Sequence, residues 1–143
     1  MFSSWFLTAQ ASIDEIRVQT DVTLSTGQLG IVVSLIDVSL KDYSGQKVWI
    51  VVKIYDKEDQ DCYHNGYTDF NVTDDIANWK QVDLEILYYD LYDCIGKGIR
   101  DVYIICYLNP DSAEDETEMI PGSYKYIQMK IFFQYSDPVK NHS

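Results

Sequence analysis

Residues 56–61 read Asp56-Lys57-Glu58-Asp59-Gln60-Asp61, and Asp90 and Asp93 follow in a second loop. Carboxylates gathered in loops at one end of a fold are how a hard cation such as Ca2+ is held, by about six to eight oxygens. Asp56, Glu58, Asp59, Asp61, Asp90 and Asp93 are therefore the candidate metal ligands. The first run is not an EF-hand loop, because the turn glycine is missing and position 67 is Tyr where a bidentate Glu would stand. The competing expectation for these acids is a solvated loop that binds no metal.

The second chemical feature is tyrosine, which makes up 12 of the 20 aromatic residues. Tyrosine offers rigid, amphipathic contact area and is enriched at binding surfaces. It is also an ordinary strand residue on half-buried faces. Tyr63, Tyr67, Tyr89 and Tyr92 are expected in loops, where function concentrates on rigid scaffolds, and are the candidate ligand-binding residues.

Nucleophilic catalysis needs a base within hydrogen-bond reach of the nucleophile. The only histidines are His64 and His142, so a Cys94–His64 pair is the one arrangement the chain offers, and no motif accompanies it. Acids are abundant enough for a glycosidase pair, but 143 residues leave little room for a cleft. Zinc spacing and a phosphate-cradling glycine loop are both missing. No catalytic residue is assigned, and the expectation is that the chain is not an enzyme.

The elements that must position these residues follow from a period of two. Ile16, Val18 and Thr20 alternate with polar neighbours, and Leu29, Ile31, Val33 and Leu35 share a face. The phase then slips to Ile36, Val38 and Leu40, which predicts a β-bulge or a bend where the strand changes sheet. Val48, Ile50, Val52 and Ile54 form the clearest core-facing set. A short strand is expected at 66–70, another at 82–88, and one helical turn at 88–92. A near-continuous apolar run at 100–108 suits a central strand, and Ile127, Met129, Ile131 and Phe133 mark the last one. Many short strands separated by turn signals predict an all-β, single-domain antiparallel sandwich of seven or eight strands, C2-like or immunoglobulin-like.

The domain is expected to span 1–143, with 1–11 as an aromatic lead-in whose Trp5 and Phe6 are expected to dock on the sandwich or on a partner. The lead-in has neither the basic start nor the apolar length of a secretory signal, and no run approaches a transmembrane span. A formal charge of −12 argues against a phosphate-tracking nucleic-acid binder or a purely electrostatic attachment to anionic lipid. The charge is uneven: residues 56–93 hold 11 acids and 2 bases, and 109–118 hold five acids and no base. Up-and-down alternation puts 56–61 and 90–93 at one end of the fold, and Asp74, Asp75 and 111–118 at the other. Cys106 lies in an apolar run and is expected buried and unreactive. Cys62 and Cys94 fall in loops, where they label readily as free thiols or pair with each other. A pair would point to an oxidising compartment; otherwise a cytoplasmic location is favoured.

Gly30-Ile31-Val32-Val33, Ile54-Tyr55-Asp56-Lys57-Glu58-Asp59, Asn65-Gly66-Tyr67-Thr68, Tyr89-Asp90-Leu91 and the strand from Gly98 to Tyr107 occur in that order. The series resembles a group of bacterial β-sandwich domains of poorly defined function with a C2-type architecture. It departs from that pattern at Gln60, where a Gly is usual, and at Tyr88, where a Pro is usual. The resemblance implies a sandwich and no catalytic residues. The expected function is a non-enzymatic module that binds a partner protein, or a lipid or glycan surface, through acidic, tyrosine-bearing loops. The alternative is a C2-like module with calcium-dependent phospholipid binding, in which the cation first reverses the local charge.

Overall fold

Alternating apolar and polar residues oblige a strand to bury one face. In a computed structural model, which describes residues 9–110 and 118–133, seven strands do so. They are β1 (Ser12–Thr23), β2 (Leu29–Ser39), β3 (Lys47–Asp56), β4 (Tyr63–Asn71), β5 (Asn78–Leu87), β6 (Gly98–Asn109) and β7 (Lys125–Phe133). One short helix, α1 (Tyr88–Tyr92), precedes β6. Two antiparallel sheets form, with orders β1-β2-β5 and β4-β3-β6-β7. The expected all-β sandwich is the observed one. The helical turn stands where it was predicted, and the short strand expected at 66–70 is longer, starting at Tyr63.

The core lies between the sheets. Val48, Ile50, Val52 and Ile54 of β3 are at most 3% exposed, and Val102, Ile104, Cys106 and Leu108 of β6 are fully buried. Ile31, Val33 and Leu35 of β2 face them from the other sheet. On β7, Ile131 and Phe133 are buried, while Ile127 and Met129 are partly buried against the same core.

The phase slip in β2 has a sheet-wide form. Ile13, Val38 and Trp79 make one cross-strand row of the first sheet, and Ile16, Leu35 and Val82 make another. Each strand carries two residues between these rows, so all three change inward parity together and the register is kept. Asp37 takes the turn with φ +50. The strand bends without leaving its sheet, because its neighbours bend with it.

A true register shift lies in β1, between Gln19 and Val22, where Asp21 has φ +56. The Tyr88 hydroxyl holds this bulge from α1. It donates to Asp21 Oδ1 and accepts from the Asp21 N–H, both at 2.9 Å. Burial pushes the Tyr88 phenol up to about 12, and its ring meets Phe133 edge to face. Gly30 is required by contact: a Cβ there would lie 2.2 Å from the Ile86 carbonyl oxygen.

The connections divide into two ends, as expected. The β3–β4 loop, the β1–β2 turn and α1 share one end; the β2–β3 connection and the β4–β5 loop share the other. At this second end the backbone N–H groups of Gln10 and Ala11 bind Asp42 and the Pro121 carbonyl. Trp5, Phe6, most of the 111–118 acidic run and His142 lie outside the described residues. No helix among the described residues is long and apolar enough to cross a membrane.

Three substitutions test this packing by urea denaturation. Ile50→Ala and Ile131→Ala should each cost ~2–5 kcal/mol through lost transfer energy and a cavity. Tyr88→Phe should cost about 0.5–1.5 kcal/mol, because it removes both hydrogen bonds that hold the Asp21 bulge from α1. A Tyr88→Phe variant as stable as the wild type would mean that the bulge does not need its cap.

Candidate functional site

The inward parity of the four-stranded sheet fixes which residues point outward. On β3 these are Trp49, Val51, Lys53 and Tyr55, and on β6 Tyr103, Ile105, Tyr107 and Asn109. One half of this outer face is closed. Val51 and Tyr107 are fully buried there, with Trp49, Ile105 and Met119 packed on them. Lys53 is only 8% exposed, and its ammonium lies 5.7 Å from the Tyr107 ring centroid, in cation–π range.

The other half is a belt of tyrosines contributed by successive strands. Tyr63 of β4 pairs with Tyr55 of β3, and Tyr55 pairs with Tyr103 of β6. The Tyr55 and Tyr63 rings stand 5.2 Å apart. Tyr103 meets Tyr126 of β7 at 6.5 Å, and Tyr126 meets Tyr124 at 6.3 Å. Tyr126 is 62% exposed and Tyr63 46%, while Tyr55 and Tyr103 are half-buried. Between the last two the surface sinks into a cavity of about 430 Å³, lined by Tyr55, Gln60, Asp61, Tyr103 and Ile105. One aliphatic side chain, two phenol rings, one amide and one carboxylate thus line one concavity.

The four tyrosines assigned to loops lie in regular elements. Tyr63 and Tyr67 stand on β4, and Tyr89 and Tyr92 on α1. The reason for the first pair is the partner strand: β4 starts at Tyr63 because Tyr55 of β3 is there to pair with it. All four are exposed. Tyr63 belongs to the belt, and Tyr67 shares its face, where its hydroxyl accepts from Asn65 Nδ2. Tyr89 and Tyr92 sit on the helix, with Lys97 over the Tyr92 ring. Tyr55, Tyr103, Tyr126 and Gln60 were not foreseen as site residues. Their signal was parity, since Tyr55 and Tyr103 occupy positions opposite in phase to the core residues of their strands.

The acidic loop is drawn to α1 by a disulfide between Cys62 and Cys94, whose Cα atoms are 5.2 Å apart. Residues 56–61 and 90–93 therefore share one end, as alternation predicted. Asp56 Oδ1 accepts the Glu58 N–H at 2.9 Å, and Asp59 Oδ1 accepts the Asp61 N–H at 3.3 Å. Each carboxylate thereby caps its own turn. Glu58, Asp61, Asp90 and Asp93 are solvent-exposed. Among the described residues no group of three or more Asp, Glu, His or Cys could hold a metal ion. The segments carrying Asp56, Glu58, Asp59, Asp61, Asp90 and Asp93 share this end of the fold.

The disulfide also corrects two expectations about thiols. Cys62 and Cys94 are not labile loop thiols, and Cys94 is no nucleophile for His64. Cys106 is buried as expected, and burial pushes its thiol up to about 12. His64 points between the sheets, where it lines a cavity of about 150 Å³ with Ile50, Val52, Thr68 and Ile86. Burial pulls its imidazole below the ordinary value, against the opposing pull of Asp90.

With the fold and the belt in view, comparison with known proteins returns no match: no family model, curated protein or solved structure resembles the chain.

Two measurements check this end of the molecule. Thiol titration should find no reactive thiol in the native protein, one after unfolding without reductant, and all three only after reduction. Removing the bridge with Cys62→Ser and Cys94→Ser should cost about 2–4 kcal/mol through regained unfolded-state entropy. A base whose folded pKa is lowered binds fewer protons in the native state. Its contribution is full above the unfolded value of about 6.5 and is lost as pH falls through the folded one. Stability should accordingly drop as pH falls from about 6.5 through the folded value, and His64→Gln should flatten the profile in that window. An unchanged profile would mean that His64 is not desolvated.

Proposed function

We propose that this chain is a non-enzymatic binding module whose contact surface is the tyrosine belt on the outer face of the four-stranded sheet. One observation carries the reading: the concavity lined by Tyr55, Tyr103, Ile105, Gln60 and Asp61. Binding sites are typically concave and mostly apolar, with a few placed polar groups, and about 300–1,000 Å³ in volume. This one falls in that size range and sets two phenol rings and Ile105 beside an amide and a carboxylate. The belt rests on paired strands, so its rings are held in place before any ligand arrives, and preorganisation lowers the cost of binding. The acids of 56–61 act here as the rim of the surface and supply repulsion toward anionic ligands. The Cys62–Cys94 bridge supports an oxidising working environment over a reducing cytosol.

The test is a binding screen of the intact chain against purified proteins, glycans and lipid vesicles, with Tyr55→Ala and Tyr103→Ala run in parallel. The expected result is a ligand whose affinity falls about tenfold or more in both variants, as for a hot-spot contact, with an unchanged fold by circular dichroism. Ligand binding indifferent to both tyrosines, or turnover of a bound ligand, would overturn the reading.

A further inference from the structure

We infer that the belt and its concavity form a site for a neutral oligosaccharide. This rests on the binding-module reading above and goes beyond it in naming the ligand's chemistry. A sugar ring has one C–H-rich face and a rim of hydroxyls. The site is amphipathic in the same sense. The negative face of an aromatic ring attracts the positive edge of a C–H-bearing partner, and Tyr55, Tyr63, Tyr103 and Tyr126 present such rings from four adjacent strands. At about 4.8 Å per strand the belt runs for roughly 15 Å, long enough for several sugar units in a row.

The polar edge selects the same class. Asp61 as a carboxylate only accepts hydrogen bonds, whereas the Gln60 amide and the phenol hydroxyls both donate and accept. A ligand satisfying this set must bring donors at one point and donor–acceptor groups beside it, which is what vicinal hydroxyls provide. Hydroxyl to carboxylate is a strong, charge-assisted bond. An acidic ligand is disfavoured, since its anion would meet Asp61 and the acids of the same loop within a chain of net charge −12. Uronate, sulfated sugar, phospholipid headgroup and nucleic acid are all disfavoured on that ground.

The experiment is isothermal titration calorimetry of the intact, oxidised chain with cellohexaose, xylohexaose, mannohexaose and chitohexaose, with hexagalacturonate as the acidic control. At least one neutral hexasaccharide should bind and hexagalacturonate should not. Tyr103→Ala and Tyr55→Ala should weaken binding about tenfold or more, and Tyr103→Phe should keep most of it because the ring remains. Gln60→Ala and Asp61→Asn, on an exposed loop, provide variants that do not disturb the sheet and should also weaken it. Failure of all four neutral sugars to bind overturns the inference, as does binding that survives both alanine variants. Preferential binding of hexagalacturonate overturns it too. If the sugars fail while a purified protein binds in a Tyr103-dependent way, the carbohydrate assignment falls and the binding-module reading stands.

Discussion

β3 lies inside its sheet, between β4 and β6, and is buried on both faces. Its inner residues meet the opposing sheet, and its outer residues Val51 and Lys53 lie under Trp49 and beside Tyr107. The double burial organises the rest of the molecule. The inner face sets the register of both neighbours, so Ile50 lies opposite Thr68 and Leu108. The outer face creates a second, smaller apolar cluster that closes one half of the sheet. The open half is then the half that carries the tyrosine belt. Burying Lys53 would be expensive if its charge met only hydrocarbon; the Tyr107 ring gives the ammonium an electron-rich face.

The second organising device is the group of contacts around α1. A five-residue helix has no independent stability, because nucleation costs more than so few bonds return. It forms here because Tyr88 is anchored on Asp21 and Phe133, Leu91 is buried, and Cys94 is bonded to Cys62. These contacts tie β1, β7 and the acidic loop to one short segment. The disulfide joins two cysteines 32 positions apart in the chain and holds the loop carrying Gln60 and Asp61 beside the belt.

Charge works differently from what the composition alone suggests. The few ion pairs among the described residues, such as Arg17–Glu15 and Lys47–Asp69, are exposed and worth little in stability. Several acids are instead used locally: Asp56 and Asp59 cap their turn, Asp42 binds the Gln10 N–H, and Asp83 accepts from Ser34 and Gln81. The two latter bonds hold the Asp83 carboxyl below its ordinary value. An acid bonded in this way is a structural acceptor that ties down its own turn or a neighbouring strand. The remaining, exposed acids set the sign of the field around the belt.

How much was legible in advance depended on the range of the interaction concerned. Val48, Ile50, Val52 and Ile54 could be assigned to the core from sequence because side-chain direction in a strand is local and alternates by residue. The same parity placed Tyr55 and Tyr103 on outward faces, and the helical turn at 88–92 was legible from its composition. The strand pairings that put Tyr63, Tyr55, Tyr103 and Tyr126 side by side join residues far apart in the chain, and no local pattern encodes them. Only the tertiary structure decided that Cys62 meets Cys94 and that Tyr88 caps a bulge at Asp21. It also decided that Asp56 and Asp59 turn inward on their own loop while Gln60 and Asp61 edge a concavity. Which residues face out follows from the backbone's period of two; which outward residues become neighbours follows from how two sheets must pair and pack to exclude water from Ile50, Ile104 and Leu35.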